Sequence, residues 1–275
     1  MKHIFYIILV AITIFSVSSC KSKDDSPSPT GNNTKGGKTF VLVAGAWQGA
    51  YVWQTVKTQL EAQGQKVIVV ELPAHGDDNT APENVSINVY RDKVVSAINA
   101  VDGKVVLVGH SMAGVVVSEV ADAIPDKLEK LIYVAAFVPA NGQSLQDLAF
   151  QDAQSQLGPS LIPSQDMLTL DVKQENRINI FCQDGSDEAK ALLTQKFRVE
   201  PAIPFTNKAS LSADKFGKVD KYYIHTSQDH AIGPDLQDKM ANAAGITKTY
   251  TLNSGHSPFL SVPDQLTQQL LTITK

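Results

Sequence analysis

The sequence predicts an α/β fold in which a mostly parallel sheet is flanked by helices and carries an inserted helical cap. Three observations lead there. Short β-branched runs recur along the chain, segments of helical period separate them, and one stretch of about eighty residues breaks the alternation.

The runs read as strands: TFVLVA from Thr39, KVIVVEL from Lys66, KVVLVG from Lys104, KLIYVAA from Lys130, KYYIHT from Lys221 and TKTYTL from Thr247. Between them, Val52, Val56 and Leu60 recur at helical spacing before Gly64, and Val94, Val95, Ile98 and Val101 do so before Gly103. A third apolar segment, Val115 to Ala123, stops at Pro125. From Pro139 to about Gly217 polar and apolar segments mix, prolines stand at 159, 163, 201 and 204, and no clear strand can be read. A structureless loop of that length is rare in a compact domain, so about 139–217 is expected to form a helical cap.

The domain itself is expected over 39–275, because the first 38 residues have a different character. MKHIFYIILVAITIFSVSSC has a basic start, an apolar run from Ile4 to Val17 and then small residues, the layout of a secretory signal over 1–19. That run is shorter than the roughly 20 residues needed to cross a bilayer. Val17-Ser18-Ser19-Cys20 resembles the bacterial lipobox, which implies lipidation at Cys20 and an exported, membrane-anchored protein, periplasmic or at the cell surface. Residues 20–38 contain no aliphatic or aromatic residue after the cysteine and read as a solvated tether. With Cys20 lipidated, Cys182 is the remaining thiol and no internal disulfide is expected.

A composition of 43% hydrophobic and 19% charged residues is that of an ordinary globular chain. A net charge of -4 with no dense Lys/Arg run excludes a nucleic-acid face, so no nucleic-acid partner is expected, and the membrane enters only through the lipid.

The stretch VVLVGHSMAGVVV, Val105 to Val117, carries the chemistry. A G-x-S-x-[AG] string alone is weak, since composition yields it by chance in roughly one chain of this length in five. Here it follows a strand and opens a helix, the context of a nucleophile elbow, with small Gly109 and Ala113 two residues either side of Ser111. A serine needs a base, and the base needs a group to orient it. Of six histidines, His3 lies in the signal, His110 diverges from its neighbour, His75 precedes the motif and His225 falls within a strand. His230 and His256 remain, and His256 follows the last strand at the carboxyl edge of the sheet. Asp229 lies just beyond the preceding strand and gives the chain order Ser111, Asp229, His256. Asp235 and Asp238 follow Gly233-Pro234 and read as the exposed face of a helix. For a developing oxyanion, Met112 N–H is one donor, and the Gly-Ala turn after the first strand offers Ala46 N–H as the second.

With these segments together, the chain resembles the α/β-hydrolase superfamily, in particular its small methylesterases, related bacterial esterases and plant hydroxynitrile lyases. The similarity runs through FVLVAGAWQGAYVW, VVELPAHGDD, VVLVGHSMAG, LIYVAAFVP, FCQDGSDEAKALL, YYIHTSQDHAIG and SGHSPFLSVP. It implies the α/β-hydrolase fold, catalytic residues Ser111, Asp229 and His256, oxyanion donors Ala46 and Met112, no cofactor, and a small ester substrate held in an apolar pocket near Phe137 and the cap.

Three departures stand out. Ala44 replaces a His common before the oxyanion glycine, and Ala113 replaces the customary Gly of the elbow. Ser257 and Gly45 stand where the lyases carry Lys and Thr, and without that cation departing cyanide has no counter-charge, which favours ester hydrolysis. The competing readings are a non-catalytic binding protein on the same fold and a lyase or C–C hydrolase. A metal hydrolase built on His75, Asp77 and Asp78, or on His225, Asp229 and His230, lacks an H-E-x-x-H string, and no metal is expected.

Overall fold

An uninterrupted apolar strand is stable only where helices cover both faces of its sheet. In a computed structural model describing residues 37–275, that is where the predicted runs lie. β1 (Thr39–Val43) leads through α1 (Gln54–Ala62) to β2 (Lys66–Val70), and α2 (Ile87–Asn99) leads on to β3 (Val105–His110). After α3 (Ala113–Ala123) and β4 (Leu128–Val134) comes the insertion. It holds α4 (Leu145–Ala149), β5 (Leu161–Pro163), β6 (Thr169–Val172), α5 (Gln174–Phe181), α6 (Asp187–Lys196), β7 (Glu200–Pro201) and α7 (Ile203–Thr206). The chain then returns through β8 (Lys221–Thr226), α8 (Pro234–Ala243), β9 (Thr249–Leu252), α9 (Pro258–Ser261) and α10 (Pro263–Ile273).

Six strands form one sheet in the order β2-β1-β3-β4-β8-β9, every pair parallel. Side chains alternate between its faces. Phe40, Leu42, Val106, Val108, Ile132 and Ile224 meet Leu60 of α1 and Leu266 and Leu270 of α10. Val41, Val43, Leu107, Tyr133 and Tyr223 meet Val94 of α2, Val116 and Val120 of α3, and Met240 of α8. α1 and α2 thus leave the sheet on opposite faces while β1 and β3 lie side by side. Their carboxyl ends open the crevice where ligands bind in open α/β sheets. Of the three helix stops read from the sequence, Gly64 closes α1 with φ 77° and Pro125 follows the end of α3, whereas α2 already ends at Asn99, before Val101, and Gly103 takes φ 83° in the turn to β3.

The insertion differs from a purely helical cap. Four helices are joined by a three-stranded antiparallel sheet, β5-β6-β7, with Leu170 opposite Glu200 and Leu161 opposite Val172. Its strands run two to four residues and include Pro163 and Pro201, too short and too interrupted to show an alternating pattern. The signal segment 1–19, Cys20 and the tether up to residue 36 lie outside the described residues. Among the described residues no helix is long and apolar enough to cross a membrane, and Cys182 is buried and free.

Candidate active site

β3 ends at His110 and the chain turns at once into α3. Ser111 takes the turn with φ 56°, a left-handed conformation that a residue with a Cβ enters only under restraint. The restraint is visible: its N–H donates to Val134 O at 3.3 Å, and its C=O accepts from Gly114 at 3.0 Å and Phe137 at 3.1 Å. A Cβ on Gly109 would come within 2.6 Å of Val117 Cγ2, and one on Gly114 within 2.1 Å of the Phe137 oxygen. Ala113 is fully buried, and the elbow forms with its methyl group in place.

The sheet brings the three predicted side chains to one edge. Ser111 Oγ lies 3.0 Å from His256 Nε2, and His256 Nδ1 lies 2.8 Å from Asp229 Oδ2. They stand beyond the carboxyl ends of β3, β9 and β8, up to 145 residues apart in the chain. A carboxylate on Nδ1 keeps the proton there and leaves Nε2 as an acceptor for the serine hydroxyl. Asp229 is itself held: Oδ1 accepts the N–H groups of Ala231 and Ile232 at 2.8 and 2.9 Å, and Oδ2 also accepts from Thr226 Oγ1 at 2.8 Å.

Two neighbours escape sequence reasoning. Gln237 of α8, fully buried, donates from Nε2 to Asp229 Oδ2 at 3.2 Å and to Ile232 O at 2.8 Å, while its Oε1 accepts Thr226 N–H at 3.0 Å. It shares a helix face with Met240 and Ala241, and that spacing from Pro234 was the signal for its burial. His110 is the other. Burial and the adjacent His256 ring hold its pKa well below the usual imidazole value, and its neutral Nε2–H donates to His256 O at 2.8 Å. It therefore anchors the backbone of His256.

The two residues predicted as oxyanion donors line the same cavity. Ala46 and Met112 are buried and line one cavity with Ser111, and their backbone N–H groups find no acceptor among the described residues. Buried N–H groups are nearly always paired, so two unpaired ones beside a serine mark a ligand position. Gly45 approaches so closely that a Cβ there would lie 2.5 Å from Ser111 Cβ. Ser257 is buried, and its Oγ accepts from Gln48 Nε2 at 3.1 Å.

The cavity over Ser111 has a volume of about 450 Å³. Trp47, Phe137, Leu145, Leu157, Leu161, Leu170 and Phe205 form most of its wall, and Gln146, Asp152 and Ser155 are its few polar members besides Ser111. Phe150 and Met167 line it as well and stand 81% and 65% exposed, so its mouth is apolar. A second cavity, about 280 Å³ between the insertion and α8, contains none of these reactive groups. The histidines outside the site turn elsewhere: His75 toward Glu200 at 3.0 Å, His225 toward Asp238 at 3.3 Å and His230 onto Asn179 O at 2.8 Å. Neither of the clusters weighed as metal sites converges on one point. Asp235 and Asp238 are exposed on α8.

Known proteins share this arrangement of elements. The chain is 31% identical over 256 residues to methylesterase 7 of Arabidopsis thaliana, covering 86% of this chain and 96% of that one. It is 27% identical over 255 residues to an alpha-hydroxynitrile lyase of the same plant, covering 85% and 96%. Among solved structures, a methylesterase from Arabidopsis superposes with a TM-score of 0.75 at 26% identity over 86% of this chain and 98% of that one. The alpha/beta hydrolase family pattern matches residues 40–269, and the chain belongs to that family.

Proposed function

We propose that this protein is a serine carboxylesterase acting on a small, largely apolar ester through an acyl-enzyme. The observation that carries the reading is the hydrogen-bonded chain Ser111–His256–Asp229 beside two buried, unpaired N–H groups. Ser111 Oγ adds to the ester carbonyl as its proton passes to His256 Nε2, and Asp229 stabilises the resulting imidazolium. The carbonyl oxygen becomes an oxyanion and accepts from Ala46 N–H and Met112 N–H, which stand ready without reorganisation. Collapse expels the alkoxide, which takes the proton from His256 and leaves as the alcohol. Water then attacks the acyl-serine, His256 takes its proton, and Ser111 is regenerated as the acid departs.

The cavity supports an apolar acyl group. Its volume lies within the range of small-ligand sites, and hydrophobic side chains dominate its wall. Hydrolysis is favoured over cyanohydrin cleavage by the residues at two positions. Ser257 is tied to Gln48 and brings no cation, and Gly45 has no room for a side chain. On the sequence alone, we also place the protein at a membrane surface through lipid on Cys20, with the chain exported.

The test is fluorophosphonate labelling and 4-nitrophenyl butyrate hydrolysis by the parent and Ser111→Ala. Labelling and turnover in the parent, both lost in the variant, are expected. A folded parent that neither labels nor turns over makes the protein a binder.

A further inference from the structure

The oxyanion loop is held from the cap. Trp47, the residue after Ala46, has φ 59°, again left-handed for a residue with a Cβ. Three contacts keep it there, all from the insertion. Its N–H donates to Glu200 Oε2 at 2.9 Å, its C=O accepts Arg198 N–H at 3.2 Å, and its indole Nε1–H donates to Leu170 O at 2.9 Å. Phe181 and Phe205 flank the ring with centroids 5.5 and 5.7 Å away. Both strands of the β6–β7 pair therefore grip one residue of the core domain.

Glu200 is a costly residue to place there. It is 1% exposed, and a buried carboxylate persists only where it is paired and hydrogen-bonded. Its other partners show how it is maintained. His75 Nε2 stands 3.0 Å from the same Oε2, without the alignment of a hydrogen bond, and Tyr90 OH donates to Oε1 at 3.3 Å. Arg198 Nη1 ties the strand to the His75 loop through the carbonyls of Gly76 and Asp78. Glu200, His75, Tyr90 and Arg198 do not line the cavity themselves; Trp47 does, with Leu170 and Phe205 beside it.

We infer that Glu200 is a positioning residue for ester hydrolysis: its carboxylate fixes Trp47 N–H, holds the strained Trp47 backbone, and so aims the neighbouring Ala46 N–H at the oxyanion. The inference rests on the esterase reading above. Because Ala46 N–H meets the oxyanion only as it forms, the loss of Glu200 falls mainly on kcat, with a smaller effect on KM through the Trp47 wall of the cavity.

The experiment compares the parent, Glu200→Leu, Glu200→Gln and Glu200→Asp, each assayed below its own melting temperature. The probes are 4-nitrophenyl butyrate and an alkyl trifluoromethyl ketone whose serine hemiketal oxygen occupies the oxyanion position. Glu200→Leu is expected to lower kcat by about 30-fold or more with KM within about threefold, and to weaken the ketone by the same factor. Glu200→Gln keeps an acceptor for Trp47 N–H and recovers activity to within about fivefold of the parent. If Glu200→Leu does not fold, Glu200→Asp decides: it keeps the charge by His75 but retracts the acceptor, so kcat falls in a stable protein. A folded Glu200→Leu, or failing that Glu200→Asp, with kcat and ketone affinity within twofold of the parent overturns the inference while leaving the esterase standing. A parent inactive on all esters overturns both.

Discussion

Gln237 separates what holds the protein together from what drives the chemistry, and Gln237→Leu is the perturbation that shows it. Leucine fills nearly the same volume but removes both carboxamide functions. Thr226 N–H then loses its acceptor and Ile232 O its donor, both in a fully buried region. Each stranded group costs about 1–3 kcal/mol, so a net loss of about 2–4 kcal/mol is expected after the gain from burying an apolar side chain. For a domain of this size that lowers Tm by about 4–16 °C. Asp229 is affected far less. Its carboxylate keeps Thr226 Oγ1, the N–H groups of Ala231 and Ile232, and His256, so kcat at 20 °C stays within about threefold of the parent. Calorimetry and ester hydrolysis on one preparation give both numbers. An unchanged Tm, or a kcat collapse in a folded variant, refutes the reasoning.

Two further outcomes follow from the site. Gly45→Thr drives a Cβ to 2.5 Å from Ser111 Cβ and 3.0 Å from His110 O, so the oxyanion loop must shift by about an ångström. Turnover of 4-nitrophenyl butyrate drops about 100-fold, and undiminished turnover would show the loop to be softer than described. His75 supplies a pH signature. Burial pushes its pKa down, but the Glu200 carboxylate, a hydrogen bond to Pro73 O and Glu71 outweigh it and leave the value raised. Its contribution to stability is therefore full below about pH 6.5, the unfolded value, and lost as pH rises through the folded value. In urea melts the advantage of the parent over His75→Gln shrinks as pH is raised from 5.5 to 9, and a constant gap would contradict the pairing.

The sequence made the sheet legible because each core strand is a continuous β-branched run whose only viable setting is a parallel sheet covered on both faces. Ser111, Asp229 and His256 were legible because each follows a strand of the sheet, at the carboxyl edge where reactive groups collect. The cap sheet was not, for β7 is two residues long and is created by pairing with β6, not by any pattern of its own. Glu200 was hidden with it: a lone Glu between Val199 and Pro201 reads as a solvated loop residue until the fold buries it against His75 and Tyr90. His110 was visible as a residue but not in its action, since its partner is a carbonyl 146 residues away.

The cap is thus bonded at several backbone positions around Ser111, Asp229 and His256, two of them N–H groups held by carboxylates next to the site. Glu200 accepts Trp47 N–H beside Ala46, the proposed oxyanion donor, and Asp184, between α5 and α6, accepts Gly255 N–H at 2.7 Å immediately before His256. A swing of the whole insertion away from the sheet would strip both acceptors at once and leave two N–H groups unpaired while the restraint on Trp47 φ was released. Substrate exchange by that route would dismantle the site on every turnover. The stretch after α4 is bonded to the Asp229 loop through Gln156 N–H to His230 O at 2.8 Å and Ser155 Oγ to Ala231 O at 2.7 Å, while Phe150 and Met167 stand in solvent at the mouth of the cavity. The apolar ester proposed as substrate would meet apolar side chains there first and reach Ser111 past them with both carboxylate grips intact.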